Sequence, residues 1–368
     1  MHGHSVSTVD AYTAHREWAR RPPDERYASV EQLYDAARGR RSGTEERITE
    51  TVNLHVQAVA ADALAIGDRQ MQTSALTHWS FEQLAGLAGA PPTYLRTLPA
   101  PIAADAINYG LQRSARVEQQ LFRDANAPWT LHAITSPRYA RVLHDELAGR
   151  VLDLMAQHSS WHLPLGYKDG VMGAERVPSG AYLGDRDMFL FLVDGNRDLD
   201  DPTDASHAGL FRGFMLRNSD VGAAALTLDV FLYRSVCSNH IIWGFRHVAG
   251  LRRRHVGASI HDAWSASLNA VSTMLDATLA DDRATLLRAT SQELGPSREA
   301  VIETATQRLE LSRKHALDAY TMAEQHETNP RSVWGFVQGL TRLSQHTPWQ
   351  DTRFTLDRAA SRLLATVH

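Results

Sequence analysis

The strongest constraint on the fold is a middle section of short apolar runs joined by tight-turn residues. Gly-Asp and Asp-Gly pairs separate several of these runs, and such pairs favour hairpin turns. Parallel neighbours would need long crossover helices, and no segment of that kind intervenes. The section therefore predicts an antiparallel β-meander. The predicted strands are 162–166, 171–177, 181–183, 188–193, 211–219 and 222–236.

The segments on either side of the meander indicate helices and a small hairpin. Before it, alternating residues predict a hairpin with its turn at Gly67-Asp68, and Ser80 is the predicted N-cap of the helix that follows. Apolar residues recur at helical spacing in 140–158, 261–279, 298–325, 332–344 and 354–366. The sequence thus predicts an α+β fold, an antiparallel β-meander with flanking helices and a helical C-terminal third.

Three regions follow from this order of elements. Residues 1–47 are polar and rich in arginine, which predicts a mobile N-terminal arm. Residues 48–260 form the predicted α+β core, and residues 261–368 form a helical region that packs on it. No Pro-, Gly- or Ser-rich linker divides the chain between these regions.

Composition removes several classes of protein. Cys237 is the only cysteine, so an internal disulfide and a multi-cysteine zinc site are excluded. The chain has no apolar run of the roughly 18 residues that span a membrane and no signal-peptide pattern, which favours a cytoplasmic protein. Phosphate-loop, dinucleotide, serine-hydrolase and zinc-protease motifs are absent. We therefore expect no cofactor and no resident metal, and the sequence favours a binding protein over an enzyme.

Two groups of nucleophilic or metal-ligating residues have a simpler structural interpretation. Cys237 with His240 and His247 could form a nucleophile and base, but a cysteine at the end of an apolar run is typically buried and inert. His158 and His162 have the i, i+4 spacing of helical metal ligands, yet the flanking residues indicate a helix end and supply no third ligand.

The clearest functional signal is a window without acidic residues between Asp229 and Asp262. The formal net charge of the chain is -4, so this basic window stands against an acidic background. Guanidinium groups donate in a planar fork that suits phosphate. The window therefore favours a polyanion-binding surface. Its arginines are Arg234, Arg246, Arg252, Arg253 and Arg254.

A second acid-free segment, residues 125–144, carries Arg138, Tyr139 and Arg141. If the fold brings both segments together, phosphates would follow the arginines, and unpaired bases would stack on nearby aromatic rings. The predicted nucleic-acid-binding residues are Arg138, Tyr139, Arg141, Arg234, Asn239, Trp243, Arg246, Arg252, Arg253, Arg254 and His255.

The competing interpretation of these residues is structural. The aromatic rings would then belong to the core, and the arginines would pair with Asp185, Asp187 or Glu175. The sequence leaves both interpretations open. It also leaves open that His and Asp side chains of the β-rich middle hold a metal ion for catalysis.

Several short motifs lie along most of the chain. They contain Leu87–Pro99, Ala104–Asn108, Ser136, Arg138, Tyr139, Asn218, Ser219, Gly222, Arg234, Cys237, Asn239, Arg254–Gly257 and Ser332–Thr341. Together they resemble a family of phage- and plasmid-associated proteins of unknown function. The resemblance spans roughly residues 75–366, and the chain departs from it at Gln338 and Gly339, where the family has Asn-Ala. It implies a place beside replication and recombination functions, and it assigns no catalytic residue.

In outline, the meander with its helices and basic loops is also similar to the single-strand annealing proteins of phage recombination. We therefore expect a protein of a mobile element that binds nucleic acid, with single-stranded DNA favoured, and that forms homo-oligomers. The alternatives are a metal-dependent enzyme acting on nucleic acid or nucleotides, and a protein-binding regulatory or anti-defence factor.

Overall fold

The computed structural model describes the chain in several stretches. They are residues 23–68, 73–114, 116–123, 129–167, 175–200, 209–234, 239–242, 251–257, 279–327, 329–347 and 350–367, with single helical residues or short helical pieces at 260, 262, 264–266, 269 and 271.

The strands lie mainly in the first two thirds of the chain. They are β1 (Arg26–Tyr27), β2 (Thr44–Glu50), β3 (Leu54–Ala58), β4 (Leu64–Asp68), β5 (Ser74–Leu76), β6 (Val117–Arg123), β7 (Thr130–Thr135), β8 (Trp161–His162), β9 (Leu165–Tyr167), β10 (Arg176–Pro178), β11 (Ala181–Leu183), β12 (Met188–Asp200), β13 (Gly209–Asn218), β14 (Leu226–Arg234), β15 (Asn239–Ile242) and β16 (Leu251–Arg253).

The helices flank these strands and fill most of the C-terminal third. They are α1 (Val30–Ser42), α2 (His78–Leu87), α3 (Pro92–Leu95), α4 (Ala100–Arg113), α5 (His144–Gln157), α6 (Leu279–Ser291), α7 (Arg298–Leu309), α8 (Arg313–His326), α9 (Val333–His346) and α10 (Gln350–Leu364). The predicted α+β fold is confirmed. None of the described helices is long and apolar enough to cross a membrane.

The central sheet is an antiparallel meander in the order β1-β11-β12-β13-β14-β15, with β8 on β12 and β16 on β14. Its strands β12 and β13 bury both faces, which explains the uninterrupted apolar run of residues 188–193. Leu190 and Leu192 face a core that includes α1 and α5, while Phe189 and Phe191 face the opposite side.

The second sheet has the order β2-β6-β7-β5-β4-β3, and its single parallel pair among the described strands is β5 with β7. Helices α2 and α4 supply Leu84, Ile107 and Leu111 to the core on this sheet. The C-terminal ends of β7 and β16 approach each other through the bridge between Tyr139 and Val256, so the two sheets are close at this point.

The helical third has its own core around α9. Trp334 and Phe336 are completely buried there with side chains of α7, α8 and α10. Contacts of α6 with β12, and of α9 and α10 with β15, join this helical region to the central sheet.

The beginning of the described chain corrects the predicted N-terminal arm. Residues 23–47 belong to the folded core: Val30, Leu33 and Ala37 of α1 are buried against the central sheet, and β1 pairs with β11. The apolar residues of α1 recur at spacings of three and four, which produces one buried stripe in a polar sequence. Residues 1–22 lie outside the described part of the chain.

Two predicted helix boundaries also differ from the observed ones, because the helices are capped at other residues. Helix α2 begins earlier than expected, because the Thr77 hydroxyl accepts a hydrogen bond from the backbone N of Ser80 at 3.0 Å, so Thr77 rather than Ser80 is the N-cap. The helix predicted over 298–325 is two helices. It breaks at Glu310, whose φ of 57° is left-handed, and Ser312 caps the next helix.

The predicted hairpin turn also lies at a different position. Gly67 and Asp68 are inside β4, and the turn between β3 and β4 spans residues 59–63, where Val59 N donates to Ala63 O at 2.9 Å. The register places Val56 opposite Ile66, so both apolar side chains point to the core.

Gly339 permits close packing of α8 against α9, which gives a test of this bundle. A Cβ at this position would collide with the backbone O of Ala319 and lie 2.9 Å from the Cβ of Ala323. We expect Gly339→Ala to lower the free energy of unfolding by about 1–3 kcal/mol through overpacking. Urea denaturation measures this change.

The matched control is Gly86→Ala in α2, where an added Cβ meets nothing within 4 Å. This substitution should raise stability by roughly 0.5–1 kcal/mol, because it reduces the conformational freedom of the unfolded chain. A Gly339→Ala protein as stable as the parent would contradict the packing described for α8 and α9.

Gln338 gives a second test in the same helix. Its side chain is completely buried, and neither amide atom has a hydrogen-bond partner among the described residues. Gln338→Met keeps the length of the side chain and removes the unsatisfied groups. We expect the free energy of unfolding to rise by about 1–3 kcal/mol. A decrease would mean that the amide makes a stabilising interaction.

Candidate nucleic-acid interface

The fold brings the two acid-free segments side by side. Tyr139 and Val256 form an antiparallel bridge, and the backbone N of Ala140 donates to His255 O at 3.0 Å. The N of Gly257 donates to Arg138 O at 3.4 Å. Residues 136–140, which follow β7, and residues 253–257, which end and follow β16, therefore form one surface, which we call the arginine surface.

Three arginines of this surface face solvent. Arg138, Arg253 and Arg254 are exposed, and none of them forms an ion pair with a residue that the structure describes. Val256, two residues after Arg254, is 58 % exposed despite its apolar side chain. The surface thus combines three guanidinium groups that lack an acid partner among the described residues with the exposed apolar side chain of Val256.

The layer beneath these arginines is aromatic and well ordered. The rings of Tyr139 and His255 stack with centroids 4.8 Å apart and an interplanar angle of 19°. The Tyr139 hydroxyl donates to Ser219 O at 2.7 Å, and burial raises the pKa of this hydroxyl. Tyr139 therefore serves the packing of the loop, and its ring is engaged by His255 rather than open to a nucleobase.

Arg141 is buried, and its side chain links three segments of the fold instead of facing solvent. Its side chain is 4 % exposed, and its Nε donates to Glu46 Oε1 at 2.7 Å. Its Nη1 donates to Asp220 O, and its Nη2 donates to Thr135 Oγ1 at 3.3 Å. The guanidinium carbon also lies 5.3 Å from the centroid of the Tyr139 ring. One side chain thus connects β2, the end of β7 and the turn after β13.

Several buried hydrogen bonds meet at that turn, residues 218–222. Asn218 Nδ2 donates to Val142 O at 2.8 Å, and Ser219 Oγ donates to Arg186 O at 2.6 Å. Gly222 has a φ of +84°, a conformation that a side chain would strain, and a Cβ there would lie 3.3 Å from Thr135 Cγ2.

Helix α2 reaches the same turn from the second sheet. Trp79 Nε1 and Gln83 Nε2 each donate to Val221 O at 2.9 Å. Gln83 Oε1 in turn accepts from the backbone N of Ile134 in β7 at 2.9 Å. We call residues 218–222, with the side chains that bind them, the polar hub.

His144 and Asp220 lie within the hub, and His255 lies beside it. His144 Nδ1 is 3.6 Å from Asp220 Oδ2, and both side chains are buried. His255 Nδ1 is 3.1 Å from Ala140 O and must donate to it, which fixes the neutral tautomer with the proton on Nδ1. Burial lowers the pKa of His255 to about 4, and Arg141 and His144 add to this effect. The hydrogen bond to Ala140 and the charge of Asp220 oppose it.

The sequence-predicted residues therefore separate into groups. Arg138, Arg253 and Arg254 are exposed on the arginine surface. Tyr139, Arg141 and His255 form the layer that supports it. The structure therefore does not favour the prediction that the supporting residues contact bases or phosphates directly. The remaining predicted residues are described only in part. The backbones of Arg234 and Asn239 pair across β14 and β15, Arg252 pairs with Thr227, and Trp243 and Arg246 lie outside the described residues.

The structural alternative for the arginines finds no support at Arg253 and Arg254. Asp187 lies 3.9 Å from Arg217 Nη2 instead, and Asp185 forms no ion pair with a described residue. No group of three or more His, Cys, Asp or Glu side chains in the described chain is arranged to hold a metal ion. Cys237 and His247 lie outside the described residues.

Sequence reasoning missed the residues that hold the site together. Trp79, Gln83 and Glu46 come from distant segments and carry no motif. The family resemblance includes Ser219 and Gly222, but it does not indicate that residues 218–222 form a turn that receives these side chains. A glycine at the end of an apolar strand was the available signal.

The lowered pKa of His255 predicts how the stability depends on pH. The unfolded chain binds the proton near pH 6.5, and the folded chain near pH 4. The contribution of neutral His255 is therefore fully present above pH 6.5 and is lost as the pH falls towards 4. It amounts to on the order of 3 kcal/mol.

The measurement compares the parent with His255→Phe, which keeps a ring against Tyr139 and does not titrate. The difference in unfolding free energy between the two proteins should shrink by on the order of 3 kcal/mol from pH 7 to pH 4. A difference that stays constant over this range would show that His255 titrates alike in both states.

No known family model, curated protein or solved structure matches this chain.

Proposed function

We propose that the protein binds nucleic acid through the arginine surface, with single-stranded DNA as the favoured partner. The observation that carries this proposal is the convergence of Arg138 with Arg253 and Arg254 from two distant acid-free segments. In the same proposal the protein acts in the cytoplasm as a homo-oligomer of a phage- or plasmid-type element.

Phosphate is the anion that fits this surface best. Each guanidinium is exposed and lacks an acid partner among the described residues, so its donors are available to a ligand. The support beneath the loops is buried and hydrogen-bonded through Tyr139 and His255, which limits the entropy that binding must overcome. The net charge of -4 does not prevent local attraction, because screening at physiological salt confines interactions to about 8 Å.

The apolar part of the surface favours single strands over a duplex. Val256 is 58 % exposed beside the arginines and offers a contact for an apolar group. Bases of a single strand can turn towards such a contact, whereas the bases of a duplex stay stacked inside it. Tyr139 does not add a stacking platform, because its ring lies against His255.

Removal of the three exposed arginines tests the proposal. The triple variant Arg138→Ala/Arg253→Ala/Arg254→Ala should bind a labelled single-stranded oligonucleotide at least about tenfold more weakly at low salt. The slope of log K against log salt concentration should become shallower by about 2, which corresponds to the loss of three phosphate contacts. Fluorescence anisotropy at several salt concentrations gives both quantities.

The matched control removes the same charge from the helical third. Arg308, Arg313 and Arg358 are exposed on α7, α8 and α10, and their replacement by alanine should leave both affinity and salt slope unchanged. If both triple variants weaken binding equally, the affinity depends on the overall charge of the protein and not on the position of these arginines. Absence of binding by the parent protein at low salt would refute the proposed function.

No observation in the described residues favours the metal-dependent enzyme. The protein-binding alternative would use the same arginines against an acidic protein face. It predicts that single-stranded DNA does not bind these arginines and therefore does not compete with that partner, so the anisotropy of the labelled oligonucleotide should stay unchanged when the parent protein is added at low salt.

A further inference from the structure

Few hydrogen bonds join the two halves of the arginine surface, and His255 takes part in most of them. Among the described residues, three connect the segment after β7 with the segment that ends β16. The backbone O of His255 accepts from Ala140 N at 3.0 Å, and the His255 ring donates to Ala140 O at 3.1 Å. The third, from Gly257 N to Arg138 O, is longer at 3.4 Å. The junction therefore depends on the state of one imidazole.

The hydrogen bonding of the His255 ring leaves one atom for a second proton. A carbonyl oxygen only accepts, so the bond to Ala140 O requires that Nδ1 carries the proton of the neutral ring. An added proton must then go to Nε2. This nitrogen is buried and has no hydrogen-bond partner among the described residues. An N–H group formed there would lose its bond to water and gain no acceptor.

The surroundings of the ring disfavour a positive charge on it. The charged and titratable groups packed around it are Tyr139, Arg141, His144 and Asp220, and its own segment adds the exposed Arg253 and Arg254. Burial is the largest effect and lowers the pKa of His255 to about 4. The charges of Arg141 and His144 act in the same direction, whereas Asp220 and the bond to Ala140 oppose them. The packed ring is therefore stable only in its neutral form.

A ring released into water takes up a proton far more readily than the packed ring. The released imidazole binds the proton near pH 6.5, and the packed one near pH 4. Each unit by which the pH falls between these values makes release about tenfold more favourable, and the whole interval gives roughly 300-fold. Local openings need less free energy than global unfolding, so a small junction opens before the rest of the fold.

The hydrogen bonds that hold the polar hub do not include the His255 ring. Trp79 and Gln83 reach the turn at residues 218–222 from α2, and Tyr139 and Arg141 reach it from the segment after β7. These bonds still connect the central sheet to the second sheet when the ring has left its place. Release of the ring therefore opens the junction without separating the two sheets.

We propose that protonation of His255 at Nε2 releases residues 253–257 from residues 136–140, so that acidification divides the arginine surface. Arg253 then stays on the central sheet, where β16 pairs with β14, and Arg138 stays beside β7 of the second sheet. As a means of regulating nucleic-acid binding, this release rests on the proposed function. The release itself does not depend on any ligand.

The amide of Ala140 tests the release in the absence of a ligand, because it donates to His255 O across the junction. Hydrogen exchange followed by NMR gives its protection factor, which is corrected for the intrinsic effect of pH on exchange. Below about pH 6 this factor should fall roughly tenfold for each pH unit. The amide of Leu190, in the middle of the central sheet, reports global unfolding and should stay more strongly protected.

Two substitutions remove the titrating ring in different ways. His255→Phe keeps a ring on Tyr139, and His255→Asn keeps an amide donor near the position of Nδ1. In both variants the protection factor of Ala140 should be constant over the same pH range. Three results would overturn the release: a constant factor in the parent, an equally steep fall in both variants, or a factor in the parent that only equals that of Leu190. The second result would assign the effect to another titrating group, and the third would mean global unfolding.

Anisotropy of the labelled single-stranded oligonucleotide at pH 7 and pH 5 tests the regulatory role. Protons added to the protein raise its positive charge, so electrostatics alone predicts tighter binding at pH 5. The release predicts the opposite: the affinity of the parent should fall from pH 7 to pH 5 by at least about threefold relative to His255→Phe. Equal pH dependence of the two proteins would overturn the regulation. A parent protein that does not bind at pH 7 would refute the proposed function, while the exchange of Ala140 still decides the release.

Discussion

Hydrogen bonds to the turn between β13 and β14 hold together the segments that support the arginine surface. The turn receives Trp79 from α2, Tyr139 and Arg141 from the segment after β7, and gives Ser219 Oγ to the β11–β12 turn. It therefore connects the central sheet to the second sheet. A buried polar group that loses its hydrogen bond costs about 1–3 kcal/mol. Separation of any one of these segments from the turn would therefore cost free energy of this size.

The arginine surface borders this hub. The stacked pair of Tyr139 and His255 supports the exposed arginines, and the Tyr139 hydroxyl donates to Ser219 O of the turn. Burial lowers the pKa of His255 to about 4, so this ring adds no charge to the arginine surface at neutral pH. The positive field there comes from Arg138 and its exposed neighbours in the second loop.

The sequence predicted the meander and most helices, because their periodicities are local. The prediction was wrong where tertiary contacts determine the structure. The sequence of α1 is typical of a polar arm, because only Val30, Leu33 and Ala37 mark its buried face. The two segments without acidic residues lie side by side in the fold, and their role as a site stays a prediction. The sequence could not show which side chains turn inward, because burial of Arg141 depends on Glu46, about 95 residues away.

Hydrogen exchange with and without a single-stranded oligonucleotide locates the contact surface without altering the protein. We expect slower exchange on binding in residues 136–140 and 253–257 together, with the helices α7 to α10 unchanged. Binding with protection confined to another part of the chain, or protection of only one of the two segments, would contradict a single arginine surface.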